Sequence, residues 1–562
     1  MTGVRARLWL PAVGRTLARQ LEATWRRAAP MHRAALSGPA PAGFAAAPRD
    51  VRPTDPARGQ AILDGVITLG GEALEIGPGG DPWNRPSPSL AFAERLHRFE
   101  WLGDLVALGG EGPREALRLA MDWRRVFGRW NGFSWRADIL ERRVFNLACH
   151  GRTLVEGASD WEKGQLADSL ARQARSLLRL MDEPPRAAER LAAVALAGVA
   201  LGAPAGEPLA AKALPRLDEA LAKAVLPDGG HATRSPQAGL ELLFDLLALD
   251  DGLSQSGRAP LDRLSRAIDR LILGVRFFTL PDGRLAAFHG GEPAGPARIA
   301  AALAQASDAV REEPLQDAPF SGYQRLTSPG MSLILDAGAP AEGAWSQAAC
   351  AQTAAFEVVC GRERLIANCG WSPRTHRPGP WRLTEAASAV TLGEGSLGAP
   401  LTGYMAEAFG PQLLGAPGQV GHHRRENEAG VWVEVSHGGW LATTGLTHER
   451  RLFLDKTASE LRGEDRFIPA ENARPQSVAV AIRFHLPPDV DALVSRDQRS
   501  VLLRGPSNTG WWLRSDASQV IIDPSLSFRD GVAYKASQIV LRGRLRADRG
   551  GRVRWKLAAA EG

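Results

Sequence analysis

The stretch GEPAGPARIAAALAQASDAVREEPLQDAPF (291–320) divides the chain. It reads as one last helix followed by a linker, and the hydrophobic period differs on its two sides. Upstream, apolar residues recur at helical spacing in LAFAERLHRFEWLGDLVAL (90–108), SWRADILERRVFNLACHGRTLV (134–155), GQLADSLARQARSLLRLM (164–181), AAERLAAVALAGVALG (187–202) and LDRLSRAIDRLILGVRFF (261–278). Turns rich in Gly, Pro and Asp separate these runs, as in GDPWNRPSPS (80–89), MDEPPR (181–186) and LPDGGHATRSP (226–236). Long amphipathic runs with short turns predict an array of antiparallel helices. Downstream the period becomes two or the runs become short and apolar. Examples are MSLILDAG (331–338), AAFEVVCG (354–361), GVWVEVSHGGWLATTG (430–445), SVAVAIRFHL (477–486) and SQIVLRGRLRA (537–547). Many short strands with Gly, Pro, Asn and Asp turns predict an antiparallel β-sandwich. The expected organisation is a basic N-terminal helix or tail over 1–45, a helical domain over 46–315 and an all-β domain over 316–562.

The composition narrows the function. At 562 residues with 44% hydrophobic and 23% charged side chains, the chain can bury large cores. Of its 68 basic residues only six are lysines. Arginine forks suit carboxylates and sulfates, so the bias fits a polyanionic ligand or a compositional habit shared with its Ala, Gly and Pro content. The four cysteines form no CxxC pair, which excludes a zinc ribbon or thioredoxin-like site. No apolar stretch approaches the ~18 residues of a membrane span. In MTGVRARLWLPAVGRTLARQLEATWRRAAP (1–30) arginines interrupt every apolar run, so no export signal is read and the cytoplasm is expected. That segment reads as a basic amphipathic helix, lying on its own domain or at a membrane interface. Dispersed bases and the absence of a phosphate-loop motif argue against nucleic acid and nucleotides. Oligomeric state is not legible.

Several stretches, in order, resemble the heparinase II/III family of polysaccharide lyases. They are PSPSLAFAERLHRFEWLGDL (86–105), WNGFSWRADILERRVFNLACHG (130–151), LPDGGHATRSPQAGLELLFDLL (226–247), AIDRLILGVRFFTLPDGRLAAFHGG (267–291), AAFEVVCGRERLIANCG (354–370) and GLTHERRLFLDKTASELRGEDRF (445–467). The resemblance implies an N-terminal incomplete (α/α) toroid followed by a C-terminal antiparallel β-sandwich, with a polysaccharide in the cleft between them. It also implies β-elimination on an acidic, uronate-containing glycan of the glycosaminoglycan kind, in the periplasm or cell envelope. Such a reaction needs a group that neutralises the uronate carboxylate, a base for the C5 proton and an acid for the leaving oxygen. In the family a Tyr and a His share the last two tasks, and some members hold a metal with His and Asp.

This chain departs from that pattern at several points. Ala238 stands at the family's Tyr position, Cys350 at a His position and Asn368 near the metal-site acid. All three tyrosines, Tyr323, Tyr404 and Tyr534, lie in the β half. The remaining catalytic candidates are His231 and Arg234 in a Gly-rich turn expected to be exposed, and His437 in SHGGW (436–440). Candidates for substrate binding are Trp130, Asn131, Trp135 and Arg143 around the helix break WNGF, together with His289 and His448. His448, with Arg450, Arg451, Glu464 and Asp465, fits a structural ion-pair network better than a sugar-binding edge. No cofactor is implied by the residues, and a divalent metal only by the family. Two functions follow: a lyase, or a glycan-binding protein that keeps the fold without the chemistry. Convergence of His231, His289 and His437 on one open cleft is what separates them.

Overall fold

The computed structural model describes residues 11–15, 17, 18, 21, 36–180, 184–306, 313–371 and 378–560. Most of the basic segment 1–45 lies outside them. Of its described residues, 11–15 are helical, Ala12 is buried and Arg15 lies 5.0 Å from the Phe409 ring centroid.

Among the described residues seven long helices make the N-terminal half: α1 (Gly112–Phe127), α2 (Ala137–Leu154), α3 (Asp160–Leu178), α4 (Ala187–Leu201), α5 (Glu207–Ala224), α6 (Pro236–Gln255) and α7 (Asp262–Phe278). Ser159 and Glu162 close a reciprocal capping box on α3, and Ser235 caps α6 with Pro236 in its first turn. The sequence of α4 is apolar almost all round, and α4 is accordingly central, packed against α2, α3, α5 and α6. A small hairpin, Val66–Leu69 with Glu72–Glu75, interrupts the expected all-helical pattern. Its two-residue loop is Gly70-Gly71, with φ of 60° and 80°, the left-handed pair that a tight hairpin turn needs.

The C-terminal half is antiparallel throughout. A five-stranded sheet holds Asp317–Ala318, β1 (Tyr323–Ser328), β2 (Met331–Asp336), β3 (Phe356–Cys360) and β4 (Glu363–Ile366). A four-stranded sheet contains β5 (Val390–Leu392), β10 (Ser477–His485), β14 (Gln519–Arg529) and β15 (Val532–Arg546), in the order β14-β15-β10-β5. The largest sheet takes β6 (Val420–Glu426), β7 (Gly430–His437), β8 (Leu446–Asp455), β9 (Glu460–Pro469), β11 (Asp491–Val494), β12 (Ser500–Arg504), β13 (Gly510–Ser515) and β16 (Gly551–Ala559). Its order is β6-β7-β8-β9-β16-β13-β12-β11. Inward residues of all three sheets share one core, including Leu333, Val358, Val433, Leu452, Phe484 and Trp555.

The five-stranded sheet is the joint between the halves. Tyr323, Ile334 and Val359 belong to the helical core, whereas Leu326, Leu333, Leu335 and Val358 face the sandwich core. Burial on both faces explains why MSLILD reads as a continuous run rather than an alternation. The chain is therefore a helical domain followed by antiparallel sheets, the fold class its periodicity predicts.

Candidate functional site

The turn 226–236, which carries His231 and Arg234, lies against the helix α7. Gly229 has φ of 84°, and a Cβ there would lie 2.0 Å from the Arg270 carbonyl oxygen. Arg234 and His289 also adopt left-handed backbone, with φ of 62° and 44°. For residues other than glycine this conformation costs of order 1–3 kcal/mol and persists only where the surroundings enforce it.

Those surroundings are a buried interdomain joint. Arg234 donates from Nη2 to Asp336 Oδ1 at 2.5 Å, from Nε to the Ser321 carbonyl at 2.6 Å and from Nη1 to the Ala339 carbonyl at 2.8 Å. His289 Nδ1 accepts the Cys350 backbone N–H at 3.1 Å. Its Nε2 must therefore carry the hydrogen, which it donates to Asp336 Oδ2 at 2.9 Å. Burial raises the Asp336 carboxyl, but Arg234 and His289 outweigh it and hold the group ionised. Burial lowers the pKa of His289 despite Asp336. Tyr323 donates to the Arg234 carbonyl at 2.6 Å, and burial pushes its phenol well above the ordinary value, so it is no poised acid. Arg234 and His289 are thus linkers between the halves, 6% and 0% exposed, and do not face an open cleft.

His437 and His448 form a second closed chain inside the sandwich. His437 Nδ1 accepts the Gly439 N–H at 3.3 Å, which leaves its Nε2–H for His448 Nδ1 at 3.1 Å. His448 in turn donates from Nε2 to Asp465 Oδ1 at 2.8 Å. Asp465 also receives Arg450 Nε at 2.7 Å and Trp555 Nε1 at 3.1 Å. Burial lowers the pKa of both histidines, and each is neutral with both nitrogens engaged. Of the two expectations for His448, the ion-pair network is the one found. Both rings are too enclosed, at 3% and 1% exposed, to form a sugar-binding edge.

His231 differs. It is buried rather than exposed, because the turn folds under Trp345 of the β half, with ring centroids 5.9 Å apart. Its Nδ1 accepts the Thr233 N–H and contacts the Thr233 hydroxyl at 2.7 Å, but Nε2 has no partner among the described residues. Burial, and then the charge of Arg186, lower its pKa to about 3. Because the folded value lies below the ordinary 6.5, the unfolded chain binds the extra proton as pH falls from about 6.5 towards 3. His231 therefore withdraws stability over that window, by up to about 1.4 kcal/mol per pH unit. His231→Gln is expected to flatten the pH dependence of unfolding by that amount. An unchanged slope would mean that the ring is not held neutral.

Arg186, whose charge reaches His231, belongs to a cluster on α2, α4 and α6 in which arginines and carboxylates neutralise one another. Arg186 donates from Nε to Glu141 at 3.2 Å and lies 3.6 Å from Glu189. Arg142 reaches both Asp245 oxygens at 2.7 and 2.8 Å, and Arg52 joins Asp245 at 2.7 Å and Asp50 at 3.1 Å. Burial raises the Glu141 and Glu189 carboxyls in spite of Arg186. These forks, which sequence reasoning passed over, are already filled by the protein's own carboxylates. The spacings Asp50–Arg52 and Arg186–Glu189 were the local signals for them.

The WNGF break does not build a binding platform. Trp135 is 3% exposed and donates to the Phe127 carbonyl at 2.9 Å. Asn131 caps its own turn, accepting the Ser134 N–H at 2.8 Å, and Trp130 packs on the helical core. Arg143 is wholly buried, donating to Gln173, His97 and Ser134, with its guanidinium 4.0 Å from the Trp123 ring centroid. Nor do the family's metal positions fit an ion here. Asn368 spends its oxygen on the Ser388 N–H and its amide on the Ala287 carbonyl. Burial pushes the Cys350 thiol up, and its sulfur accepts the Trp371 indole N–H at 3.0 Å.

Comparison with known proteins agrees with this architecture. The model for the heparinase II/III-like C-terminal domain matches residues 310–556. FtsZ-localized protein C of Caulobacter vibrioides is 51% identical over 99% of this chain and 96% of its own length. Solved structures with the same fold include heparinase III, with a TM-score of 0.71 at 14% identity over 90% of this chain and 85% of that one. The heparan sulfate lyase HepC from Pedobacter heparinus gives 0.55 at 15% identity over 92% of this chain and 85% of that one. Among the described residues no helix is long and apolar enough to cross a membrane.

Proposed function

Because this chain belongs to the heparinase II/III-like family, we propose that it is a lyase-fold protein that acts by binding, without elimination chemistry. We propose further that it localises with FtsZ, as the name of its 51%-identical relative states for that protein. One observation carries the first part. The acid–base candidates satisfy one another: His437 through His448 onto Asp465, and His289 with Arg234 onto Asp336. A base or acid for elimination must reach the substrate's proton, and these groups have none to give or take without breaking a buried network. The arginines that would neutralise a uronate are likewise occupied by Glu141, Asp245 and Asp50. On this reading 46–315 and 316–562 are two domains locked at a buried seam rather than two walls of a working cleft.

Purified full-length protein passed over immobilised FtsZ tests the second part. Saturable binding is expected, and a flat response at all concentrations would overturn it.

A second reading has one observation in its favour, the unpartnered Nε2 of His231. A rewired lyase would use that nitrogen as the base and Arg186, released from Glu141, against the uronate carboxylate. With a pKa of about 3 the ring is a weak base, which ranks this reading second.

A further inference from the structure

The solvent face of the eight-stranded sheet carries a charge pattern that the fold does not require. Across neighbouring strands, Trp432 lies opposite Phe453, Phe453 opposite Arg462, Arg462 opposite Lys556 and Lys556 opposite Arg514. Three cations thus stand directly opposite one another on strands about 4.8 Å apart, an arrangement that destabilises a sheet. The adjacent row, Glu434, Arg451, Glu464 and Arg554, alternates in sign as a self-contained surface would. In the cationic row one carboxylate, Glu460, serves both Arg462 at 2.5 Å and Lys556 at 2.7 Å. Arg514 is exposed, has no ion pair among the described residues and lies 5.6 Å from the Trp512 ring centroid. Trp432 is 49% exposed, and its ring and that of Phe453 are 4.6 Å apart. Together they line a shallow cavity of about 510 Å³.

We propose that this row is a docking site for an acidic polypeptide segment carrying one aromatic or large apolar residue. Its carboxylates would take Arg462, Lys556 and Arg514, and its apolar residue would cover Trp432. The lining favours an acidic peptide over an uncharged sugar chain, because Ser515 is its one hydroxyl or amide side chain and, the indoles apart, the rest of its polar side chains are charged. Arginine forks recognise carboxylates, which an uncharged sugar lacks, and the Trp432–Phe453 pair gives a peptide's apolar residue a surface to cover. The inference rests on the reading that the protein works by binding, and does not depend on FtsZ being the partner.

The test is fluorescence anisotropy of a short fluorescein-labelled peptide of glutamates around one phenylalanine, titrated with the full chain at low salt. Saturable binding is expected, weakened at least about tenfold by the Arg514→Glu/Lys556→Glu pair and by Trp432→Ala, and weakened by added salt. All three side chains are on the solvent face, and circular dichroism checks that the variants fold. No saturable binding, or an affinity that the charge reversal leaves unchanged, would overturn the site. So would tighter binding of a heparin oligosaccharide that is indifferent to Trp432→Ala, which would mark a general polyanion surface. If the peptide binds and immobilised FtsZ does not, the docking site stands and the FtsZ assignment falls.

Discussion

Asp336→Ala is expected to lower the free energy of unfolding by about 3–5 kcal/mol, read as a fall in the denaturant midpoint. The reason lies in what the carboxylate holds. Among the described residues it is the sole anion bonded to Arg234, whose guanidinium is buried, and it is the acceptor for His289 Nε2–H. Removing it leaves a charge and a donor enclosed at the joint between the two halves, and two left-handed backbones lose part of what enforces them. Adding Arg234→Met to the same variant is expected to recover part of the loss, since the unpaired charge goes with it. A loss below about 1 kcal/mol would show that the seam is held by packing alone.

Asp465→Ala is expected to be comparably severe, again about 3–5 kcal/mol, but within the sandwich. Arg450 keeps its bonds to the Ala354 and Ser388 carbonyls, yet its charge loses its counter-ion in a site with no solvent access. His448 and the Trp555 indole lose an acceptor together. Asp465→Asn restores an acceptor for His448 without restoring the charge, so it is expected to fall between the wild type and the alanine variant. Equal stability of Asn and wild type would contradict an ionised Asp465, which Arg450 and His448 hold well below the ordinary carboxylate value against the effect of burial.

The fold was legible because burial imposes its period on the sequence directly. Helical spacing upstream of 291–320 and strand-like runs downstream mark which faces meet a core. The hairpin at 66–75 is not legible because its strands are four residues each, too short for a period of two to stand out. The candidate site was legible as a set of residue types but not as an environment. Arg234 meets an aspartate 102 positions away, and His448 meets one 17 positions away across a strand pair. Whether a histidine is a free base or a filled joint depends on such partners, which no local pattern carries. His231 shows the same limit. Its Gly-rich turn suggests exposure, whereas Trp345 from the other half closes over it. The cationic row needs the strand register as well, since Arg462, Arg514 and Lys556 become neighbours only when β9, β16 and β13 pair.

The most direct test of the binding account is the ultraviolet absorbance of unsaturated uronate product. Full-length protein would be incubated with alginate, heparin, heparan sulfate, chondroitin and hyaluronan, with and without added divalent metal. No rise in absorbance above the buffer control is predicted for any of them. A rise that His231→Ala abolishes would contradict the account and establish a rewired lyase.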